Sequence, residues 1–551
     1  MFYFFQTNIM PLHTENLFLF WCAHEHIDFR IPEFESIAKL FDIPIIWVTE
    51  HDEPEKYYKS DTISDTHQSD WRNSLQDSSL VTNSRNGKNQ PVVPWVILKL
   101  RSEDDALKIL SRSISTKYCI HLWAPASSRS ELHTNVQLFI KSNKEYLQTA
   151  YFNHNKTFKI NVDAFMKKLH SNEKHERIES FSYIPFEGSV SLDKPDVTLA
   201  LLEFFGLDHN NLPLEPFNLF FGRFVGEGQR DLIAKFSLKK RCFIGNTSMD
   251  PQLSFLMTNL ACIEKGKIML DPFCGTGSLM LTAAWFGAYV MGTDIDYLTL
   301  HARTRPSRVN SGKKRASEES LSQNFIQVGG NSMKNQFLGV VVADVSNPPY
   351  QNNLGHLFDA IVTDPPYGIR EPAERVGTKR HENVERPDDW KVPEEYLPFH
   401  IPQKIDYELG NIYTDLLEFA SRHLALGGRL VFWIPVNREH YASCQESSLP
   451  KHHNFKLVAN CEQVLSSHTS RRCVTMQKFQ EDKESLENHT HQISVPSCDK
   501  DQVTNNFQTV KGTTEKFKQN FFKAQELSRQ ERKDRIKRFG HLNIEQTQID
   551  N

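Results

Sequence analysis

Nine cysteines are spread through 551 residues, and no two of them form a Cys-x-x-Cys pair. The pattern argues against a disulfide scaffold and fits a reducing compartment. The histidine pairs His24/His26, His452/His453 and His489/His491 have no complementary ligands nearby in sequence. They read as surface or structural residues, so no metal site is expected in this chain. No apolar run is long enough to span a bilayer. The apolar start Met1-Phe2-Tyr3-Phe4-Phe5 is soon interrupted by Asn8 and Pro11 and has no basic segment before it, so a secretory leader is not expected. Strong charge imbalance is missing too. A formal net charge of −4 argues against an indiscriminate nucleic-acid coat but leaves room for local basic surfaces. Sequence repeats are absent. The expectation from these absences and the length is a large soluble, cytoplasmic protein of two or three domains, each able to bury its own core.

The most informative stretch present is Asp364-Pro365-Pro366-Tyr367. It ends the apolar run Phe358-Asp359-Ala360-Ile361-Val362-Thr363, which reads as a parallel strand buried on both faces. In α/β proteins ligands bind beyond the carboxyl ends of such strands. The two prolines stiffen the backbone and remove two N–H donors. Carbonyl oxygens and the Asp364 carboxylate remain as acceptors for the hydrogens of a planar exocyclic amine. Tyr367 offers a flat face for a nucleobase. Taken singly, the tetrapeptide also fits an ordinary strand-to-loop turn.

A second motif lies upstream. Lys267-Ile268-Met269-Leu270 reads as a strand, followed by Asp271-Pro272-Phe273-Cys274-Gly275-Thr276-Gly277-Ser278 and a helix over Leu279 to Phe286. A glycine turn between strand and helix lets the backbone approach a ligand, with helix amides pointing at it. The Lys-Ser/Thr of a phosphate-binding P-loop is absent. Tyr289 to Asp294 reads as a second strand. Its terminal acid follows the glycine turn at about the offset where a carboxylate meets ribose hydroxyls. A third strand, Val340 to Ala343, ends in Asp344. Asp271, Asp294, Asp344 and Asp364 thus all stand at strand ends. Each alone fits a cap or turn; four at equivalent places form a ladder along one sheet edge.

This constellation resembles the class I S-adenosylmethionine-dependent methyltransferases, in their amino-methylating branch. Further segments follow in order: Phe243 to Asp250, Gly292 to Asp296, Thr363 to Arg370 and Ser466 to Arg472. With them the chain, from about His24 to Lys478, resembles the catalytic subunits of the eukaryotic tRNA guanine-10 N2-methyltransferases. The resemblance implies a Rossmann-like seven-stranded α/β sheet preceded by an α+β ferredoxin-like unit and a THUMP RNA-binding module. It also implies S-adenosylmethionine as methyl donor and tRNA as substrate. A small zinc-containing activator subunit is implied as partner, the zinc belonging to that partner. Asp271, Gly275 and Gly277 would border the methionine portion of the donor, Asp294 its ribose hydroxyls and Asp344 its adenine amine, with Phe273 also in the donor site. Asp364, Pro365, Pro366 and Tyr367 would hold the accepting base. Adenine, cytosine and glutamine side chains also present planar amines, so DNA, rRNA and protein-amide methylation remain open, as does a silent RNA-binding scaffold.

Composition divides the chain. An N-terminal RNA-binding region is expected over 14–210, with 52–90, rich in Asp, Ser, Asn and Lys, as a disordered insertion. The period and spacing there show only a mixed α/β unit. The catalytic domain is expected from Phe217 to Lys478. Two polar stretches interrupt it: 303–335, carrying Arg305, Arg308, Lys313, Lys314 and Arg315, and 369–405, carrying Arg370, Arg375, Lys379 and Arg380. The tail 480–551 is expected to be disordered. Its stretch 511–540 holds ten Lys/Arg against four Asp/Glu. That pattern fits either an ordinary solvated amphipathic helix or contact with tRNA backbone.

Overall fold

The computed structural model describes residues 16–48, 84–85, 88–89, 93–210, 212–303, 319–350, 356–369, 371–377, 403–438, 441, 449–466 and 469–480. They form two compact units, Met1–Asp231 and Leu232–Asn551.

The first unit is built on strands β1 (Leu17–Cys22), β2 (Ile46–Trp47), β5 (Trp95–Lys99), β6 (Thr116–Ala126), β7 (Phe158–Phe165), β8 (Val197–Phe204) and β9 (Asn218–Glu227), with a small pair β3 (Ser84–Arg85) and β4 (Lys88–Asn89) set apart. The seven lie in one sheet in the order β2-β5-β1-β6-β9-β8-β7. Only β7 and β8 pair in parallel. The expected ferredoxin-like and THUMP parts therefore share a continuous sheet, with β6 pairing to β1 on one side and β9 on the other. Alternating side chains serve different cores. Phe18 and Phe20 pack with Phe34 and Ile37 of the helix Arg30–Leu40, whereas Leu19 and Trp21 face the opposite cluster with Trp95, Phe204 and Phe220.

One boundary differs from expectation. The catalytic unit does not begin near Phe217, because β9 pairs with β6 and β8 and its Leu219, Phe220 and Phe221 fill the first unit's cores. The strand's apolar run is satisfied only inside that sheet.

The second unit holds β10 (Ile268–Asp271), β11 (Tyr289–Asp294), β12 (Phe337–Val342), β13 (Phe358–Thr363), β16 (Leu424–Asn437), β17 (Phe455–Val464) and β18 (Thr469–Lys478). Their order is β12-β11-β10-β13-β16-β18-β17. Six point the same way, and β18, between β16 and β17, runs antiparallel to both neighbours. This is a doubly wound seven-stranded sheet of the kind the resemblance implies. Strand order reverses between β10 and β13, which puts the binding crevice at their carboxyl ends. A short antiparallel pair, β14 (Glu374–Val376) and β15 (Lys404–Asp406), stands outside the sheet.

Local sequence explains the helices that frame this crevice. Asp250 caps the helix Pro251–Leu260 by accepting from the Gln252 and Leu253 amides, with proline in the first turn. The helix Leu409–His423 has apolar residues at 409, 412, 413, 416, 417 and 420, one face of a 3.6-residue period; Tyr413, Leu416, Leu417 and Ala420 cluster with Phe358, Ile361 and Phe432, and Leu409 and Ile412 with Ala373 and Phe273. Buried Lys478 donates to the Ser421 and Leu424 carbonyls at that helix's end.

The expected polar insertion 303–335 contains a structured part. The helix Leu321–Gln336 buries Leu321, Phe325 and Met333, and its interior is kinked at Gly330. Its apolar spacing was present in the sequence beside the basic cluster that obscured it. Residues 304–318, most of 52–90, residues 378–402 and the tail after 480 lie outside the described residues, so expectations about them stay there. Among the described residues no helix is long and apolar enough to cross a membrane.

Candidate active site

The crevice begins where β10 ends. Asp271 is followed by a turn with Gly275 at φ 48° and Gly277 at φ 76°, left-handed conformations that side chains disfavour. A Cβ on Gly275 would meet nothing within 4 Å, so the backbone there faces open space. Gly277 differs. It caps the helix Ser278–Trp285, and a Cβ there would come 2.6 Å from the Leu321 side chain. The turn is pinned to β11. The Cys274 amide donates to the Thr293 carbonyl at 2.9 Å, and the Gly275 amide to Asp294 Oδ2 at 2.8 Å. Asp294 Oδ1 accepts from the Asp296 amide at 2.9 Å.

The Asp-Pro-Pro-Tyr motif leaves the neighbouring strand β13. Thr363 Oγ1 donates to Asp271 Oδ1 at 2.7 Å, and that oxygen also accepts the Phe273 amide at 3.1 Å. The two motifs, 92 residues apart in sequence, are thus directly bonded. The Tyr367 hydroxyl donates to Asp364 Oδ1. Arg471 Nη1 reaches Asp364 Oδ2 at 3.3 Å and the Tyr367 hydroxyl at 3.1 Å.

The third acid, Asp344, is occupied by its own chain. Oδ1 accepts from the Ser346 amide and hydroxyl at 2.9 and 2.8 Å, and Oδ2 from the Val376 amide at 2.6 Å. It anchors the β14–β15 hairpin, which carries the Lys404–Glu374 ion pair at 3.0 Å. Thr247 donates to Glu371 at 2.8 Å, and Ser248 and Thr276 hydroxyls lie 2.7 Å apart. The Phe243–Asp250 segment is thereby attached to both the hairpin side and the glycine turn.

These elements enclose a cleft of about 850 Å³. Nine of the ten expected site residues line it: Asp271, Phe273, Gly275, Asp294, Asp344, Asp364, Pro365, Pro366 and Tyr367. Gly277 lies behind it as the helix cap. Sequence reasoning gave no role to Thr247, Ser248, Tyr407 or Arg471, which also line the cleft. The Ser466–Arg472 segment was visible as a motif, but nothing in it indicated which arginine faces the site.

Eight carboxylates line the cleft against one lysine and one arginine, Lys404 and Arg471, each already paired with an acid. Burial pushes Asp271 up to about 8, against the bonds from Thr363 and Phe273, with Asp294 and Asp364 adding like charge. Burial likewise raises Asp294 to about 6. It raises Asp364 too, opposed by Arg471 and the Tyr367 hydroxyl. Such a lining repels phosphate and favours a cation. The donor set therefore fits a ligand carrying a sulfonium and an ammonium, with open backbone at Gly275 for close approach.

Comparison with known proteins agrees with the geometry. Residues 85–230 match a family model described as the Tmrp11 THUMP N-terminal domain, and residues 239–383 one described as the RMKL-like methyltransferase domain. The chain is 38% identical over 481 residues to the Bos taurus tRNA (guanine(10)-N(2))-methyltransferase TRMT11, covering 87% of this chain and 91% of the relative. The Homo sapiens protein of the same name is 38% identical, with 87% and 92% covered, and that of Dictyostelium discoideum 33%, with 85% and 83% covered. Among solved structures, TrmN from Thermus thermophilus is 15% identical with a TM-score of 0.35, covering 84% of this chain and 100% of that one. Relatives of this identity, matched over nearly their whole length, place the chain in the tRNA (guanine(10)-N(2))-methyltransferase family.

Proposed function

We propose that this chain transfers a methyl group from S-adenosylmethionine to the exocyclic 2-amino group of guanosine 10 in tRNA. The observation that carries the reading is the Thr363–Asp271 bond, which joins the glycine turn and the Asp-Pro-Pro-Tyr turn at one cleft.

S-adenosylmethionine, when bound, supplies an electrophilic methyl group on a positively charged sulfur. The chain's task is alignment, which in favourable cases supplies about 7–11 kcal/mol of the barrier. The guanine amine is a poor nucleophile because its lone pair is delocalised into the ring. Asp364 and the Pro365 carbonyl accept its two N–H groups, which favours a pyramidal nitrogen and offsets the positive charge developing there. The Tyr367 hydroxyl donates to Asp364, and its ring is the flat face on which the base stacks. A strong base is unnecessary, since the methylated ammonium is acidic. The target nucleotide is flipped out of the folded tRNA to reach the cleft, and the N-terminal unit positions the RNA by shape and phosphate contacts.

Asp294 retains lone pairs for ribose hydroxyls beyond the two amides it accepts, and Asp344 acts first as the anchor of the hairpin. Only a remaining lone pair of Asp344 is left for the donor's adenine amine. Family resemblance supports a small zinc-containing activator subunit and a cytoplasmic location.

The test is incubation of the purified chain, alone and with the activator, with unmodified tRNA and methyl-labelled donor. Mass spectrometry of the digested nucleosides should show N2-methylguanosine. Label in adenine or cytosine, or no transfer under either condition, rejects the reading.

A further inference from the structure

Arg471 is one of two adjacent arginines on β18, and alternation along the strand sends them to opposite faces. Arg472 engages Asn460 Oδ1 at 2.7 Å and Glu462 at 3.3 Å. Arg471 points toward the cleft. Strand β18 lies two positions from β13 in the sheet, about 9–10 Å at ordinary strand spacing, so only a long side chain can cross β16 to Asp364. It crosses over a support. The guanidinium lies 4.1 Å from the centre of the Trp433 ring, and Nε donates to Gln463 Oε1 at 2.6 Å. Gln463 is its cross-strand partner on β17, and the Arg471 side chain is only 14% exposed. The fork is thus fixed from behind before its Nη1 meets Asp364 and Tyr367.

We propose that Arg471 is a positioning residue for methyl transfer, holding Asp364 ionised and oriented so that it accepts the N–H groups of the target amine. The inference rests on the methyl-transfer reading above. Asp364 faces Asp271 from the end of β10, Tyr413 from the helix Leu409–His423, Tyr367 from its own turn and Arg471 from β18. Without the guanidinium, burial is left less opposed and the Asp364 carboxylate takes up a proton more readily. A protonated Asp364 presents a donor where an acceptor is needed.

The experiment compares wild type, Arg471→Lys and Arg471→Met by kcat and KM between pH 6 and 9, with donor affinity by calorimetry. In Arg471→Met the acid limb of kcat should move up by at least about one pH unit, a roughly tenfold loss below it, with recovery at high pH. Donor affinity should change by less than about twofold. Arg471→Lys should recover part of the shift, since it keeps the charge but not the fork. A pH-independent loss, or an unmoved limb, overturns the inference while leaving methyl transfer standing. Failure of wild type to make N2-methylguanosine overturns the functional reading instead. A melting-temperature cycle of Arg471→Met, Asp364→Asn and the double variant across the same pH range reads the pair without substrate. Non-additive shifts are expected, and additive ones overturn the linkage.

Discussion

Thr363 Oγ1 donates to Asp271 Oδ1 across 2.7 Å, and the bond links the carboxyl ends of β10 and β13 inside the core. Both residues are buried, at 0% and 2% exposure, so nothing from solvent replaces the donor if it is lost. Thr363→Val, close in shape, should therefore cost about 1–3 kcal/mol of stability and weaken donor binding and turnover together. Urea unfolding and calorimetry on the same preparation check this. Loss of stability with donor affinity intact would show that the bond does not organise the site.

Donor binding should depend on pH in a definite direction. Asp294 holds its proton to about pH 6 and Asp271 to about pH 8, mainly through burial. A cationic ligand favours the ionised acids, so affinity should rise between pH 5 and 8 and binding near pH 7 should release protons to the buffer. Calorimetry in buffers of different ionisation enthalpy measures that release. Proton uptake would contradict the assignment.

The same acid makes a prediction for stability. Folding raises Asp271 from the ordinary 3.8 to about 8, so the folded state binds more protons than the unfolded state between those values. Stability contributed by this group therefore falls as pH rises through that window. Asp271→Asn keeps an acceptor oxygen for Thr363 and Phe273 and should flatten the fall, seen as a smaller drop in melting temperature from pH 5 to 8. An unchanged pH profile would place the charge elsewhere.

Asp364 and Asp294 should separate in their effects. Asp364→Ala is expected to reduce turnover by at least about a hundredfold with donor affinity nearly unchanged. Asp294→Ala removes the acceptor of the Gly275 and Asp296 amides and should weaken donor binding by about ten- to a hundredfold. Equal losses in both parameters for both variants would argue against separate roles.

The crevice was legible because strand ends announce themselves. Continuous apolar runs closed by Asp271, Asp294 and Asp364 fixed three strands and put their acids at one edge. Asp344 was legible as a strand-end acid but not as an anchor, since its partner amide at Val376 lies 32 residues on, beyond β13. Gly277 matched the glycine pattern, yet its need for a bare backbone comes from Leu321, a contact invisible in one dimension. Arg471 was hidden for a related reason. In an antiparallel strand the register alone decides which of two neighbouring arginines faces the site. The boundary at Phe217 was misjudged because an apolar strand looks the same whether it closes one sheet or opens the next.

Strand β9 sits between β6 and β8, in the interior of its sheet. Anyone dividing this chain for expression should therefore cut after residue 231 and not before 217. The earlier cut would leave one fragment with two raw hydrogen-bonding edges where its centre had been. The other would begin with a phenylalanine-rich ribbon that has lost both neighbours, and both pieces would be prone to aggregate.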